Sequence, residues 1–332
     1  MNNSVKLYAP LLRSADSELL RSLDFLIAAM PAVIWSVIAY GTRAAAVILM
    51  SMLSGVIFEV IYAIIFRKGA RIPSAAVICM IIAMFMPAGV NYLLIPVTSF
   101  IAVTIRRFFG GIINPIAAAL VPFYMFTGMM TNHTAIFTKL DVGVVSYWDR
   151  MSELSDETTL SHLMSGLIPE DSLLDIFLGN TTESIGALSS LLLILGGLYL
   201  LMRRTVSWHI PVGYLAGSVV VWFICFFDGA HYEYLLYHMF AGGIFLGAFF
   251  GVTEYSSSPV TTTGRFIHGA GCGALTMLFR KIGFAEESIL LSMLVMSLFS
   301  RVIDMITAER YFGYKSKKLG ERFETFLPNS KN

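Results

Sequence analysis

Apolar runs separated by short polar connections make up most of the chain. Several runs approach the roughly 20 residues that a helix needs to cross a bilayer, while others are shorter and bounded by proline or glycine. Helices are favoured for such runs because a helix makes all its backbone hydrogen bonds within its own segment. The predicted segments are 23–40, 44–66, 74–87, 91–107, 108–126, 184–202, 208–227, 235–252, 266–279 and 286–307.

The ten segments divide into two sets of five around a polar stretch, 127–182, and breaks rich in proline and glycine fall in both sets. Paired sets with interrupted helices are typical of transport proteins built from two repeats around a central site. The pattern predicts an all-α integral membrane protein of about ten transmembrane helices in two five-helix repeats. The predicted parts are an N-terminal half (1–126), an extracytoplasmic loop (127–182), a C-terminal half (183–310) and a basic cytoplasmic tail (311–332).

Basic residues are distributed unequally between the two sides that ten crossings would define. Of the 23 Lys and Arg residues, 18 fall on the side of the termini and 5 on the other. Cytoplasmic connections carry the excess of Lys and Arg, so both termini are predicted to be cytoplasmic. The protein itself is expected in the inner (plasma) membrane of the cell. The five on the opposite side are Arg43, Lys139, Arg150, Arg280 and Lys281.

Composition agrees with a membrane location. Of the 332 residues 56% are hydrophobic and 14% charged, and the mean hydropathy is +0.73, whereas a soluble domain has about 25% charged residues. No metal site is predicted, because the cysteines lie far apart in apolar segments and the histidines lack ligand spacing. The cysteines are Cys79, Cys225 and Cys272, and the six histidines include His209, His231, His238 and His268.

Two acidic positions within apolar segments have both functional and structural interpretations. Glu59 would cost about 2.5–3.5 kcal/mol to insert facing lipid, so it is expected to face protein or water, either on an ion pathway or paired with a neighbour. Asp304 follows Arg301 by three residues near the end of the last segment, and a structural ion pair on one helix face is expected.

The start of the sixth segment carries a helix-capping pattern. Asn180, Thr181 and Thr182 are N-cap candidates for a helix with Glu183 in its first turn.

Several stretches together resemble one membrane-protein family. They are A-P-L-L-R-S (9–14), M-P-A (30–32), F-G-G-I-I-N-P (109–115), G-N-T-T-E-S-I-G-A-L (179–188), L-G-G-L-Y-L (195–200), S-W-H-I-P (207–211), T-E-Y-S-S-S-P-V-T-T-T-G (253–264) and V-I-D-M-I-T-A-E-R-Y-F-G (302–313). In order and spacing they are similar to RnfD, a membrane protein of the Rnf electron-transport complexes that has a homologue in the Na⁺-translocating NADH:quinone reductase.

The resemblance implies a covalent flavin. In that family a threonine in an S-G-A-T-P-L stretch before the sixth span carries FMN through a phosphoester. The matching stretch here is S-D-E-T-T-L (155–160), with Asp156 and Glu157 in place of Gly and Ala, so the implied acceptor is Thr158. Ser155, Glu183 and Ser184 are the other residues that the resemblance assigns to cofactor binding. A second, non-covalent flavin is left open.

The implied function is that of a membrane component in an ion-translocating, ferredoxin:NAD-type oxidoreductase complex. It would pass electrons through flavin, couple them to Na⁺ or H⁺ movement, and assemble with RnfA, RnfB, RnfC, RnfE and RnfG of such a complex, with no nucleic-acid partner. No residue of this chain is expected to be catalytic. Two alternatives stay open: a cofactor-free ten-helix transporter or channel, and a scaffold protein that has lost its flavin.

Overall fold

A computed structural model describes residues 18–67, 69–110, 112–130, 159–164, 172–181, 183–226 and 233–308. All regular elements in these ranges are helical. They are α1 (Glu18–Tyr40), α2 (Thr42–Phe66), α3 (Ile72–Phe85), α4 (Leu94–Phe108), α5 (Pro115–Met130), α6 (Thr159–Met164), α7 (Leu173–Leu178), α8 (Ser190–Met202), α9 (His209–Cys225), α10 (Glu233–Phe240), α11 (Ile244–Leu246), a π-helical turn (Gly247–Gly251, the π-turn), α12 (Thr262–Ile282) and α13 (Glu287–Thr307).

Side-chain contacts define two ends of the helical bundle. Glu18, at the start of α1, contacts Arg106 at the end of α4; we call this end the termini end. Tyr40, at the end of α1, contacts Glu183 in the connection before α8; we call this the insertion end, because α6 and α7, the described helices of stretch 127–182, pack on α10 there.

The two halves pack with a similar pattern. In the first half α2 packs on α4 and α4 on α5, while α3 contacts α1, α2 and α5. In the second half α9 packs on α12 and α12 on α13, while α11 contacts α8 and the π-turn contacts α9 and α13. The halves meet where α1 packs on α8 and α5 on α13. Corresponding helices therefore occupy corresponding places.

The α9–α12 pair is the most extensive helix contact, and glycines make it possible. A Cβ atom at Gly217 would fall on the Ala270 carbonyl, and one at Gly273 would fall on the Tyr214 carbonyl. Small residues four apart, as in Gly269 and Gly273, let helix backbones approach closely where lipid supplies no hydrophobic driving force.

The third segment is short in the first half and broken in the second. After α3 the chain leaves the helix at Met86, just before Pro87. In the second half α10 and α11 meet at an angle of 55°. Gly242 and Gly243 at this break have φ angles of 71° and 69°, a region that glycine enters at no steric cost. A broken helix is thus present in the second half, whereas in the first half α3 is a short helix that ends at the predicted proline.

Length and apolarity identify fewer membrane spans than the sequence pattern predicts. Among the described residues α1, α2 and α13 are long and apolar enough to cross a bilayer, and the bent pair α10–α11 with its π-turn would be a fourth. Four shorter apolar helices accompany them: Ile72–Phe85, Pro115–Phe126, Ser190–Met202 and His209–Cys225. Large apolar side chains such as Leu53 and Ile64 point outward. This is the architecture of an integral membrane protein.

Two local predictions are wrong. The sixth segment begins as a helix at Ser190, with Ser189 as N-cap, and not near residue 183, because the backbone N–H groups of Ile185 and Gly186 bond to the end of α3 instead. Arg301 makes no ion pair with Asp304. The Asp304 carboxylate instead accepts hydrogen bonds from the backbone N–H groups of Val260 and Thr261, at 2.9 and 3.3 Å, just before α12.

Candidate functional site at the insertion end

A group of buried polar side chains lies at the insertion end, where α1, α3, α10, α12 and α13 approach the connection before α8. We call Tyr40, Glu183, Arg280 and Glu286 the insertion-end cluster. Glu183 and Arg280 are almost fully buried and Glu286 is 7% exposed. Ionisable groups at such depth need partners.

The stretch 183–189 is non-helical and is held by its backbone. Ile185 N donates to Met86 O at 3.0 Å, and Gly186 N donates to Met84 O at 2.7 Å. The Tyr40 hydroxyl donates to Glu183 O at 2.6 Å and accepts from Glu183 N at 3.1 Å. A side chain at position 186 would fall on that of Met84. The stretch thus lies along the end of α3, which fixes where the Glu183 side chain emerges.

The side chain of Arg280, in the last turn of α12, caps the C-terminal end of α10. Its Nη1 donates to His238 O at 2.6 Å, and its Nη2 donates to Ala241 O at 3.2 Å and Gly242 O at 3.4 Å. The last carbonyls of a helix have no partner within the helix, and a cation is favoured at that end by the helix dipole. One guanidinium therefore donates hydrogen bonds to the carbonyl groups at the break between α10 and α11.

Glu286, in the connection between α12 and α13, faces the carboxyl of Glu183. Burial raises the pKa of Glu286 well above its ordinary value, and the neighbouring Glu183 carboxyl raises it further, while Arg280 acts in the opposite direction. Two carboxyl groups so close do not both ionise readily. The two carboxyl groups therefore lie side by side where the α8 connection meets the start of α13.

The flavin-site residues implied by the sequence are only partly described. Ser155 and Thr158 lie outside the described residues, whereas Glu183 and Ser184 are both buried at the insertion end. The helix that follows Thr158, α6, is anchored by Leu160, which packs with Ile176, Tyr237 and Ala241. The Leu160 side chain also closes the space above Gly242, beside the Arg280 guanidinium.

A short helix of the insertion, α7, is also attached to this end. Its N-cap Ser172 accepts from Asp175 N, and the hydrogen bond from the Ser172 hydroxyl, followed by that from Asn180, lowers the pKa of Asp175. Beyond α7, the Trp35 indole donates to Gly179 O at 3.2 Å. These contacts hold the end of α7 against α1, a few residues before Glu183 in the chain.

Glu59 lies at the opposite, termini end. Its side chain is 1% exposed and accepts from Arg107 Nη2 at 2.6 Å, Arg107 Nε at 3.3 Å and Arg71 N at 2.9 Å. The carboxylate thus joins α2 to the end of α4 and to the residue before α3. The paired interpretation of Glu59 accounts for its burial.

Sequence reasoning misses three members of the insertion-end cluster. The segment pattern places Arg280 in a connection, but α12 continues to Ile282 and carries Arg280 into the interior. In the same pattern Glu286 is only the start of a span, and Tyr40 is one more aromatic residue at an interface. The one local signal is the Gly242–Gly243 pair, since a glycine break leaves carbonyls that a cation can satisfy.

Comparison with known proteins supplies the family. A model for the family described as "NQR2, RnfD, RnfE family" matches residues 7–313. The chain belongs to this family.

Relatives within the family match almost the whole chain. The D component of the Na⁺-translocating ferredoxin:NAD⁺ oxidoreductase complex of Acetobacterium woodii is 30% identical over 315 residues, covering 92% of this chain and 94% of its own. The D component of the proton-translocating ferredoxin:NAD⁺ oxidoreductase complex of Clostridium ljungdahlii is 30% identical over 307 residues (86% and 89%). The D component of an ion-translocating oxidoreductase complex of Alcanivorax borkumensis is 28% identical over 280 residues (74% and 77%).

Two of the stretches that resemble the NQR2, RnfD, RnfE family have structural tasks at the termini end. Asn114 of the N-P pair accepts from the backbone N–H of Ile116 and donates to Gly251 O at 3.0 Å. It therefore begins α5 and ties it to the π-turn. Asp304 of the V-I-D stretch holds the turn before α12. Both residues connect the ends of interrupted or short helices.

We expect Arg280→Met to destabilise the protein severely. Methionine has similar bulk and no donors, so three buried carbonyls lose their partner at about 1–3 kcal/mol each. The measurement is the thermal unfolding midpoint of the purified protein in detergent. Lys281→Met is the matched control, because Lys281 is the next residue and is exposed. Equal midpoints for the two variants would contradict the role assigned to Arg280.

Proposed function

We propose that this chain is an RnfD protein, a membrane component of an Rnf-type ion-translocating oxidoreductase complex. The observation that carries the proposal is the family match over residues 7–313, together with relatives that are named as the D component of such complexes and match along nearly their full length. Its partners would then be the remaining proteins of such a complex, for which we propose RnfA, RnfB, RnfC, RnfE and RnfG.

We further propose that the chain crosses the membrane ten times, in two five-segment halves. The alternation of helix ends between the termini end and the insertion end supports this number, with α10, α11 and the π-turn forming one crossing. The matching helix pairs in the two halves support the repeat. Short helices such as α3 would cross together with the non-helical chain that extends them, which is tolerated where that chain is buried in protein.

The proposed orientation places both termini in the cytoplasm of a cell whose inner (plasma) membrane holds the protein. A cysteine at Leu174, which is 70% exposed in α7, should react with an impermeant thiol reagent added outside intact cells, in a variant lacking the native cysteines. A cysteine at Val260, exposed at the termini end, should react only after the membrane is opened. The reverse pattern would overturn the orientation.

We propose that Thr158 carries FMN through a phosphoester, with Ser155 beside it. When bound, FMN would supply one-electron transfer; the protein residues would position it. The anchoring of α6 through Leu160 supports this, because it holds the residue after Thr158 close to the insertion-end cluster, where Glu183 and Ser184 are buried. Asp156 and Glu157 would oppose a phosphate by only about 1 kcal/mol in a solvated loop. A second, non-covalent flavin is a further part of this proposal.

The test of attachment is intact-protein mass spectrometry after co-production with the organism's flavin transferase. Wild type should carry an FMN-sized mass increment, and Thr158→Ala should lack it. Thr159→Ala is the matched control and should keep the increment, since Thr159 is buried at the start of α6. If wild type carries no increment, the scaffold alternative replaces this proposal; an increment that survives Thr158→Ala moves the attachment elsewhere.

Glu59 is proposed to take part in ion coupling at the termini end. Two relatives that are equally similar to this chain are named for different ions, Na⁺ and H⁺. The proposed coupling ion is therefore either Na⁺ or H⁺. A buried carboxylate bound by one arginine and one backbone N–H could exchange these partners for a cation that arrives from the cytoplasm. Ionisable residues within membrane segments commonly mark such pathways.

Glu59→Gln preserves shape and removes the charge. We expect the assembled complex to lose ion uptake into membrane vesicles while its abundance stays near that of wild type. Glu18→Gln is the matched control, because Glu18 also contacts arginines at the termini end but is exposed. Wild-type transport by Glu59→Gln, or a loss of transport that only follows a loss of abundance, would leave the carboxylate with a structural role alone.

A further inference from the structure

A cavity of about 590 Å³ opens at the termini end. Four parts of the chain form its wall: the first turns of α1, the connection between α8 and α9, the chain after the π-turn, and the start of α12. Its volume is within the range of pockets that hold small organic ligands.

The wall of this cavity is cationic. Arg21, Arg204 and Arg265 line it, and none of the described residues that line it is acidic. No described carboxylate lies within ion-pair distance of Arg204 or Arg265. Arg265 uses its Nε to donate to Pro259 O at 3.0 Å, which orients the guanidinium and leaves its terminal nitrogens for another acceptor.

Arg203, the residue before Arg204, is paired with a carboxylate of the protein, unlike Arg204. Arg203 donates to Asp24 at 3.1 Å, and Thr205 donates to the same carboxylate at 2.7 Å. Arg204 has a left-handed backbone conformation, with φ of 57°, and so leaves the end of α8 in a different direction. One of two adjacent arginines is thus neutralised within the protein, while the other faces the cavity.

Aromatic residues form the rim. Trp208 and Tyr255 line the cavity and are largely exposed, and the guanidinium of Arg21 lies 4.8 Å from the centre of the Tyr255 ring. Exposed Trp and Tyr side chains at helix ends are typical of the headgroup level of a bilayer. Ser207 and Ser258 also line the cavity.

We propose that this cavity binds a phosphate ester, with the headgroup of an anionic phospholipid as its source. A planar guanidinium group can donate two parallel hydrogen bonds to two oxygens of one phosphate, and Arg204 and Arg265 would bind the phosphate in this way. The aromatic rim is typical of the headgroup level, and the proposed orientation places the termini end at the cytoplasmic leaflet, which carries the anionic lipids. The inference goes beyond the proposed function and rests on its orientation alone.

The test uses the purified full chain in detergent after removal of native lipid. It is titrated with dihexanoyl-phosphatidylglycerol, with dihexanoyl-phosphatidylcholine and with glycerol 3-phosphate, and binding is followed by native mass spectrometry. We expect the anionic lipid to bind a saturable site at least about tenfold more tightly than the zwitterionic lipid. The double variant Arg204→Gln, Arg265→Gln should lose at least about tenfold of that affinity, since charge-assisted hydrogen bonds are removed.

Controls separate the outcomes. Arg301→Gln removes an exposed arginine of the termini end outside the cavity and should bind like wild type, and Arg204→Lys should give an intermediate affinity. Unfolding midpoints confirm that each variant is folded. Binding of glycerol 3-phosphate at least about tenfold more tightly than either lipid would support the phosphate site with a soluble ligand as its source. Equal binding of all three probes, or an affinity unchanged in the double variant, would overturn the proposal.

Discussion

Satisfying the backbone where helices are interrupted is the constraint on which this structure depends. In a bilayer no water is available to bond a free N–H or C=O group, so an interrupted helix needs partners from the protein. At the insertion end the break between α10 and α11 lies close to the stretch before α8, which runs along the end of α3. Arg280 bonds the carbonyls that end α10, and the stretch before α8 bonds the carbonyls that end α3. The start of the second half thus completes the third segment of the first half.

The two ends of the bundle accommodate buried acids differently. At the termini end the carboxylates of Asp24 and Glu59 are paired with Arg203 and Arg107. At the insertion end the buried guanidinium is occupied by carbonyl oxygens, and Glu183 and Glu286 face each other. A buried ion pair joins two segments by charge attraction, whereas two neighbouring carboxyl groups do not both ionise readily. The two ends therefore differ in arrangement: ion pairs at the termini end, and a carboxyl pair beside a carbonyl-bound arginine at the insertion end.

The same physical argument explains why short helices suffice in this protein. The α9–α12 contact is close because glycines at Gly217 and Gly273 let backbones touch, and this packing buries helices that are not uniformly apolar. Helix α12 contains buried His268 and Arg280 and does not qualify as a span by apolarity alone. Its neighbours, rather than lipid, surround those polar groups.

Composition, periodicity and local glycine and proline are enough to predict the membrane class, the helical content, the break in the second half and the family resemblance. The apolar pattern starts α8 too early, since only the end of α3 reveals where the N–H groups of Ile185 and Gly186 bond. Three pairings required the folded chain: Glu59 meets Arg107, Asp304 meets Val260 rather than Arg301, and Arg280 ends α10. Each pairing joins residues far apart in the chain, and periodicity carries no information about which of several arginines will be nearest to a given carboxylate.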